Sequence, residues 1–258
     1  MDELDDQVTR LYHAECMDWT PTREQTDKGV LDPHYIIRMA WVRRTDWTPT
    51  REQVEMGLND PDTGVRLEWI KRMDFAPTHE QIQSGLDNPF WRIREAWARR
   101  MDWTPTPKQV EKGLDDVDSD VRAAWVGRRD FTATHNMIEN GLDDVWIVRE
   151  AWVRRMDWTP SPKQIEKGIN DGDSDVRAAW AKRMDWTPTL KQIENGLKDS
   201  ASDVRVAWAE RHDFTPTHEQ IERGLNDSSM GVSAAWMERL KIEQDILLKD
   251  EQNLETSL

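Results

Sequence analysis

Cysteine is nearly missing from this chain. Cys16 is the only one among 258 residues, which excludes a disulfide framework and a thiolate metal cluster. No apolar run approaches the ~18 residues that a membrane-spanning helix needs. Positive charge is also scarce: 35 Lys and Arg stand against 50 Asp and Glu, for a net charge of −15. That deficit disfavours binding to duplex DNA, where affinity comes largely from Lys and Arg on phosphates. It suits a soluble protein, or a protein partner with a basic surface. The opening Met1-Asp2-Glu3-Leu4-Asp5-Asp6 is acidic where a secretion signal is basic, so the expected location is cytoplasmic. Hydrophobic residues make up only 37%, which would suit disorder. Fifteen Trp argue the other way, because disordered chains are poor in aromatics.

What the chain does have is a repeat. Asp18-Trp19-Thr20-Pro21-Thr22 returns at Asp46 to Thr50, and in variant form as far as Asp213-Phe214-Thr215-Pro216-Thr217. The period is about 28 residues, and a fixed period of that size marks a stack of identical structural units. Eight repeats run 17–44, 45–72, 73–100, 101–128, 129–155, 156–183, 184–211 and 212–239. The fifth is one residue short. Residues 1–16 resemble an isolated second helix with Arg10 in the repeat register and read as an N-terminal capping helix, and 240–258 read as an amphipathic C-terminal capping helix with a frayed tail.

Each repeat holds two helix starts. The first is Thr-Pro-Thr-x-x-Gln, where a Thr caps the helix and Pro suits its first turn; either Thr48 or Thr50 could be the cap. This A helix ends near a Gly, where Gly suits a left-handed residue or a close backbone approach. The second start is an acidic stretch such as Asp116-Val117-Asp118-Ser119-Asp120, whose carboxylates suit a helix N-terminus. The B helix that follows carries an apolar stripe, as in Val121, Ala124 and Trp125. Its Trp recurs as Trp41, Trp69, Trp97, Trp125, Trp152, Trp180, Trp208 and Trp236, a structural ladder. The expected fold is all-α, a right-handed α-solenoid (superhelix) of two-helix repeats.

Asp120-Val121-Arg122-Ala123-Ala124 with Thr104-Pro105-Thr106, and Asp175-Val176-Arg177-Ala178-Ala179 with Thr159-Pro160-Ser161, resemble the leucine-rich repeat variant group and, more loosely, HEAT-like α-solenoids. The likeness covers 17–239. The repeat here is longer and adds the Trp ladder, and the cysteine-rich iron–sulfur segment associated with one such protein is absent. The resemblance implies a right-handed stack of short helices and a role in binding protein or nucleic acid.

Most motifs have a structural reading. The Asp-x-Asp-x-Asp runs lack the Gly and Glu of a calcium loop, so they read as helix caps. His13, His34, His79, His135, His212 and His218 share no one repeat position and read as surface residues. Arg44, Arg72, Arg100, Arg128, Arg155, Arg183 and Arg211, each two before the motif Asp, read as structural ion pairs. So do Arg38, Arg66, Arg94, Arg122, Arg149, Arg177 and Arg205 on the B helices. The loop aromatic alternates between Trp and Phe, which suits packing between repeats.

Two positions vary beyond what a stack requires. Two residues after the ladder Trp stand Arg43, Lys71, Arg99, Arg154 and Lys182, a basic row that turns acidic at Glu210 and Glu238. Six residues before that Trp stand Tyr35, Trp91 and Trp146, in repeats one, three and five only. These are the candidate partner contacts, since Trp, Tyr and Arg dominate binding hot spots. No repeat pairs a nucleophile with a base, and no metal or cofactor site is apparent. The expected function is a non-enzymatic protein-binding scaffold. The alternatives are an acidic mimic of nucleic acid that blocks a DNA- or RNA-binding protein, and nucleic-acid binding through the basic row.

Overall fold

The computed structural model describes residues 3–16 and 18–255. Part of the expected N-terminal cap (1 and 2), the first residue of repeat one (17) and the last of the tail (256–258) lie outside them. Seventeen helices and no strand occur among the described residues. The chain forms two compact bodies, Met1–Phe131 and Thr132–Leu258. In the first, α1 (Glu3–Glu15) precedes four A–B pairs: α2 (Arg23–Val30) with α3 (Tyr35–Arg43), α4 (Arg51–Leu58) with α5 (Thr63–Lys71), α6 (His79–Leu86) with α7 (Trp91–Arg99), and α8 (Pro107–Leu114) with α9 (Ser119–Gly127). The second holds α10 (His135–Leu142) with α11 (Trp146–Val153), α12 (Pro162–Ile169) with α13 (Ser174–Lys182), α14 (Leu190–Leu197) with α15 (Ser202–Ala209), and α16 (His218–Leu225) with α17 (Met230–Glu255). Within each body every A helix packs on its own B helix, and each B helix packs on the next. This is the repeat solenoid that the period implies. At the C-terminus, the last B helix runs through residue 240 into the segment read as a cap, as one helix.

The A helix starts at the second Thr of Thr-Pro-Thr. Thr50 accepts from the Gln53 N–H at 3.2 Å, and Gln53 Oε1 accepts from the Thr50 N–H at 2.7 Å. This reciprocal capping box settles the choice between Thr48 and Thr50. It also corrects the role of Pro49, which precedes the cap; only α8 and α12 carry a Pro inside their first turn, Pro107 and Pro162. The same Gln reaches back one repeat: Gln53 to Asp27 at 2.7 Å, Gln81 to Glu55 at 2.8 Å, Gln192 to Glu166 at 2.9 Å. Repeat five has Met137 in place of this Gln, and α10 keeps only the Thr134 cap.

The A-helix glycines are not left-handed residues, since no described Gly has a positive φ. Each lies inside the last turn of its helix, against the ladder Trp of the same repeat. A Cβ on Gly85 would sit 2.1 Å from the Trp97 indole, and one on Gly196 would sit 2.1 Å from that of Trp208. Glycine is required there for close approach. All eight ladder Trp are buried. The loop aromatic meets the ladder Trp of its own repeat edge-on, as in Trp47 on Trp69 and Trp158 on Trp180, with centroids 6.1 Å apart.

The motif Arg closes this packing. Arg183 is 2% exposed, yet all five of its N–H donors are used. Nε and Nη2 grip Asp185 at 2.9 and 2.5 Å. Nη1 donates to the Val153 and Arg155 carbonyls at 2.9 and 2.7 Å, and Nη2 to that of Trp158 at 2.8 Å. Its guanidinium lies 4.4 Å from the Trp158 ring and 5.8 Å from Trp180. Arg72, Arg100, Arg128 and Arg211 repeat the arrangement on their own predecessors. The planar fork has donors for a carboxylate and three carbonyls at once, which an ammonium lacks.

These ion pairs make stability depend on acid. The hydrogen bond from Arg44 holds the Asp46 carboxyl below its usual range, as Arg183 does for Asp185. Burial pushes Asp116 and Asp199 up, but hydrogen bonds from Arg94 and Arg177 outweigh it and leave both lowered. Glu194, held by Gln220, Lys198 and Arg223, is lowered to about 2. Carboxyls lowered by folding stabilise fully above their unfolded pKa of about 4 and lose that contribution as pH falls through the folded values. The urea midpoint, followed by circular dichroism, is therefore expected to hold between pH 7 and about pH 5 and to fall steadily below about pH 4. A midpoint unchanged down to pH 3 would contradict it.

Candidate interaction surface

The residue six before the ladder Trp is the first residue of each B helix. In repeats two, four and six the residue before it is Asp62, Asp118 or Asp173, whose carboxylate caps the helix. Repeats one, three and five have His34, Phe90 and Val145 there, with no side-chain cap. Acidic capping is thus confined to alternate repeats, with repeat seven also uncapped at Ala201. Where the cap is lost in repeats one, three and five, an aromatic follows. Tyr35 is 48% exposed and Trp146 42%; Trp91 is half-buried, with the Arg92 guanidinium 5.2 Å from its ring. Phe90, which the repeat pattern does not single out, is 54% exposed.

The basic row is exposed, but carboxylates stand beside it. Arg43 and Lys71 share Glu68 at 3.3 and 3.0 Å. Arg99 meets Glu95 at 2.9 Å, and Arg154 meets Glu150 at 2.6 Å. Lys182 is exposed. The signal for these acids was in the sequence, as i,i+3 and i,i+4 spacing along the B helices. Lys71 and Arg99 line one shallow depression of about 440 Å³ with Leu67 and Met73. Tyr35 and Trp91 belong to the first body, and Trp146 and Lys182 to the second.

The B-helix Arg ladder points the other way from the motif Arg, to an Asp of the following repeat. Arg38 grips Asp60 through Nε and Nη2 at 2.7 and 2.8 Å, and Arg94 grips Asp116 at the same distances. In the second body Arg149, Arg177 and Arg205 hold Asp171, Asp199 and Asp227 likewise. Arg66 departs from this. Repeat three has Asn88 where the others have Asp, and the single acceptor oxygen of Asn88 takes the Phe90 N–H at 3.1 Å. Arg66 donates through Nη1 to the Asp60 and Pro61 carbonyls at 2.5 and 3.2 Å and through Nη2 to Thr63 Oγ1 at 2.8 Å. Its Nε is buried with no hydrogen-bond partner, and the Phe90 ring lies 5.5 Å from the guanidinium carbon. A groove of about 1060 Å³ runs beside it, between α4 and α6, with Glu55, Met56, Gln81 and Ser84 on its walls.

No protein-family model matches the sequence, and neither does any curated protein. Among solved structures the chain is similar to a leucine-rich repeat variant with a novel repetitive protein structural motif, at a TM-score of 0.50 and 20% identity. The match covers 90% of this chain and 93% of that one. At that identity the likeness speaks to the fold, a repeated stack of short helices, and to nothing further. No described helix is long and apolar enough to cross a membrane.

Proposed function

We propose that this protein is a non-enzymatic binding scaffold for another protein, and that it works in the cytoplasm. The observation that supports it most is the exposure of Tyr35, Phe90 and Trp146 at B-helix starts that have given up a capping Asp. Loss of such a cap costs about 1 kcal/mol, and exposing a large aromatic gains the fold nothing. Rigid aromatics of this kind anchor protein interfaces. The net charge of −15 favours a partner with a basic surface.

The other readings have less behind them. The regularly spaced carboxylates that would imitate phosphates include Asp102, Asp116, Asp185 and Asp199, and these are engaged by Arg within the stack. The basic row that would track a nucleic-acid backbone is largely offset by Glu68, Glu95 and Glu150.

The test replaces Tyr35 and Trp146 with Ser, the residue that begins the B helix in repeats four, six and seven. Partners recovered from the source cell are quantified by mass spectrometry against the unaltered chain. The expected outcome is an unchanged urea midpoint with about ten-fold or lower recovery of one partner set, as for loss of a hot spot of ≥2 kcal/mol. Equal recovery with an intact fold would remove the aromatics from the interface.

A further inference from the structure

We propose that the groove between α4 and α6 binds an extended segment of a protein partner through one Asp or Glu, which takes at Arg66 the place that an internal Asp fills on five other rungs. This rests on the protein-binding reading and gives it a second, chemically defined contact. Five described rungs show what the B-helix guanidinium is set to receive: a carboxylate held by Nε and Nη2 at 2.7–2.8 Å. At Arg66 the guanidinium is present and its Nε is desolvated, but the acid is replaced by Asn88. A buried N–H without an acceptor is costly, and a carboxylate from outside removes that cost.

The shape of the groove selects a segment over a free acid. It follows two eight-residue helices, each about 12 Å long, which matches about four residues of extended chain at ~3.3 Å each. A volume of about 1060 Å³ is far larger than a lone carboxylate needs. Its rim carries the exposed Glu52, Glu55 and Glu80 against a single exposed Arg51, an acidic balance that repels a free anion but suits Lys or Arg beside the anchoring acid. Met56 and Phe90, both substantially exposed, offer apolar contact. The Phe90 ring covers the guanidinium and must turn aside on binding, which its exposure permits. The occupant is therefore a basic segment with one acidic residue, in keeping with the acidic charge of the whole chain.

The test pans a phage-displayed library of random heptapeptides on the full chain and measures the enriched peptides by fluorescence anisotropy. Enriched peptides are expected to carry an Asp or Glu beside Lys or Arg. Their affinity should fall about ten-fold or more on Asn88→Asp, on Arg66→Met, and when the peptide acid becomes an amide. Asn88→Asp is the stricter variant, because it restores the internal rung and should leave the urea midpoint equal or higher while closing the site. Peptides without an acid, equal binding to Asn88→Asp, or no enrichment would overturn the proposal. The two readings fail separately. Peptide binding with partner recovery indifferent to Tyr35→Ser and Trp146→Ser removes the aromatics and keeps the groove; the reverse pattern removes the groove alone.

Discussion

Replacing Arg100 or Arg183 with methionine is expected to lower folding stability by about 3–5 kcal/mol, the range for deleting one partner of a buried ion pair. Each Arg is almost wholly buried and joins its own repeat to the preceding one. Deleting Arg100 leaves Asp102 without its guanidinium and strips donors from the Ile70, Arg72 and Phe75 carbonyls. The aromatic sandwich goes too, with Phe75 at 4.6 Å and Trp97 at 5.5 Å from the guanidinium. Lysine should rescue little, because one ammonium offers three donors where five are used. Asp102→Asn should cost less than the Arg change, since the Asp side chain is 22% exposed and Arg100 keeps its three carbonyls. Urea unfolding of the four variants checks the order. An Arg100→Met loss below about 1 kcal/mol, the scale of a surface pair, would contradict it.

The second large effect reverses a usual sign. Gly→Ala within a helix ordinarily stabilises by up to ~1 kcal/mol. At Gly85 and Gly196 it is expected to destabilise by about 1–3 kcal/mol or more, because the new methyl would stand 2.1 Å from a buried indole. The Trp cannot withdraw, being fully buried and backed by the loop aromatic of its own repeat, as Trp208 is by Trp186 at 6.0 Å. Gly127 is the control. It also ends a helix, but nothing lies within 4 Å of a Cβ placed there, so Gly127→Ala should be neutral or slightly stabilising. Equal effects at Gly85 and Gly127 would show that the Trp seat is not what demands glycine.

The sequence carried the fold far better than the site. A fixed period and a ladder of eight Trp were enough for the two-helix repeat and its all-α stack, because both are written in side chains at regular positions. The purpose of the glycines was less visible. Gly85 and Trp97 lie on different helices, so helical periodicity does not join them. The reach of Arg183 was hidden for another reason: three of its acceptors are backbone carbonyls 25 to 30 residues earlier, and any residue supplies a carbonyl. Glu95 and Glu150, which temper the basic row, were legible from their spacing to Arg99 and Arg154. The one Asn among the rung acids, Asn88, was legible as a departure once that column was aligned. Phe90 was not, since its neighbours in the column are chemically unlike one another.

The central claim is that, within each body, the motif Arg ties a repeat to its predecessor. Hydrogen exchange of the full chain carrying Arg183→Met, resolved by mass spectrometry, tests it most directly. A stack whose units touch only their neighbours should lose protection first in the segments that Arg183 joins, about residues 150–190, while α2 to α5 keep theirs. Unchanged protection at 150–190 would contradict the lock, and so would an equal loss at every helix.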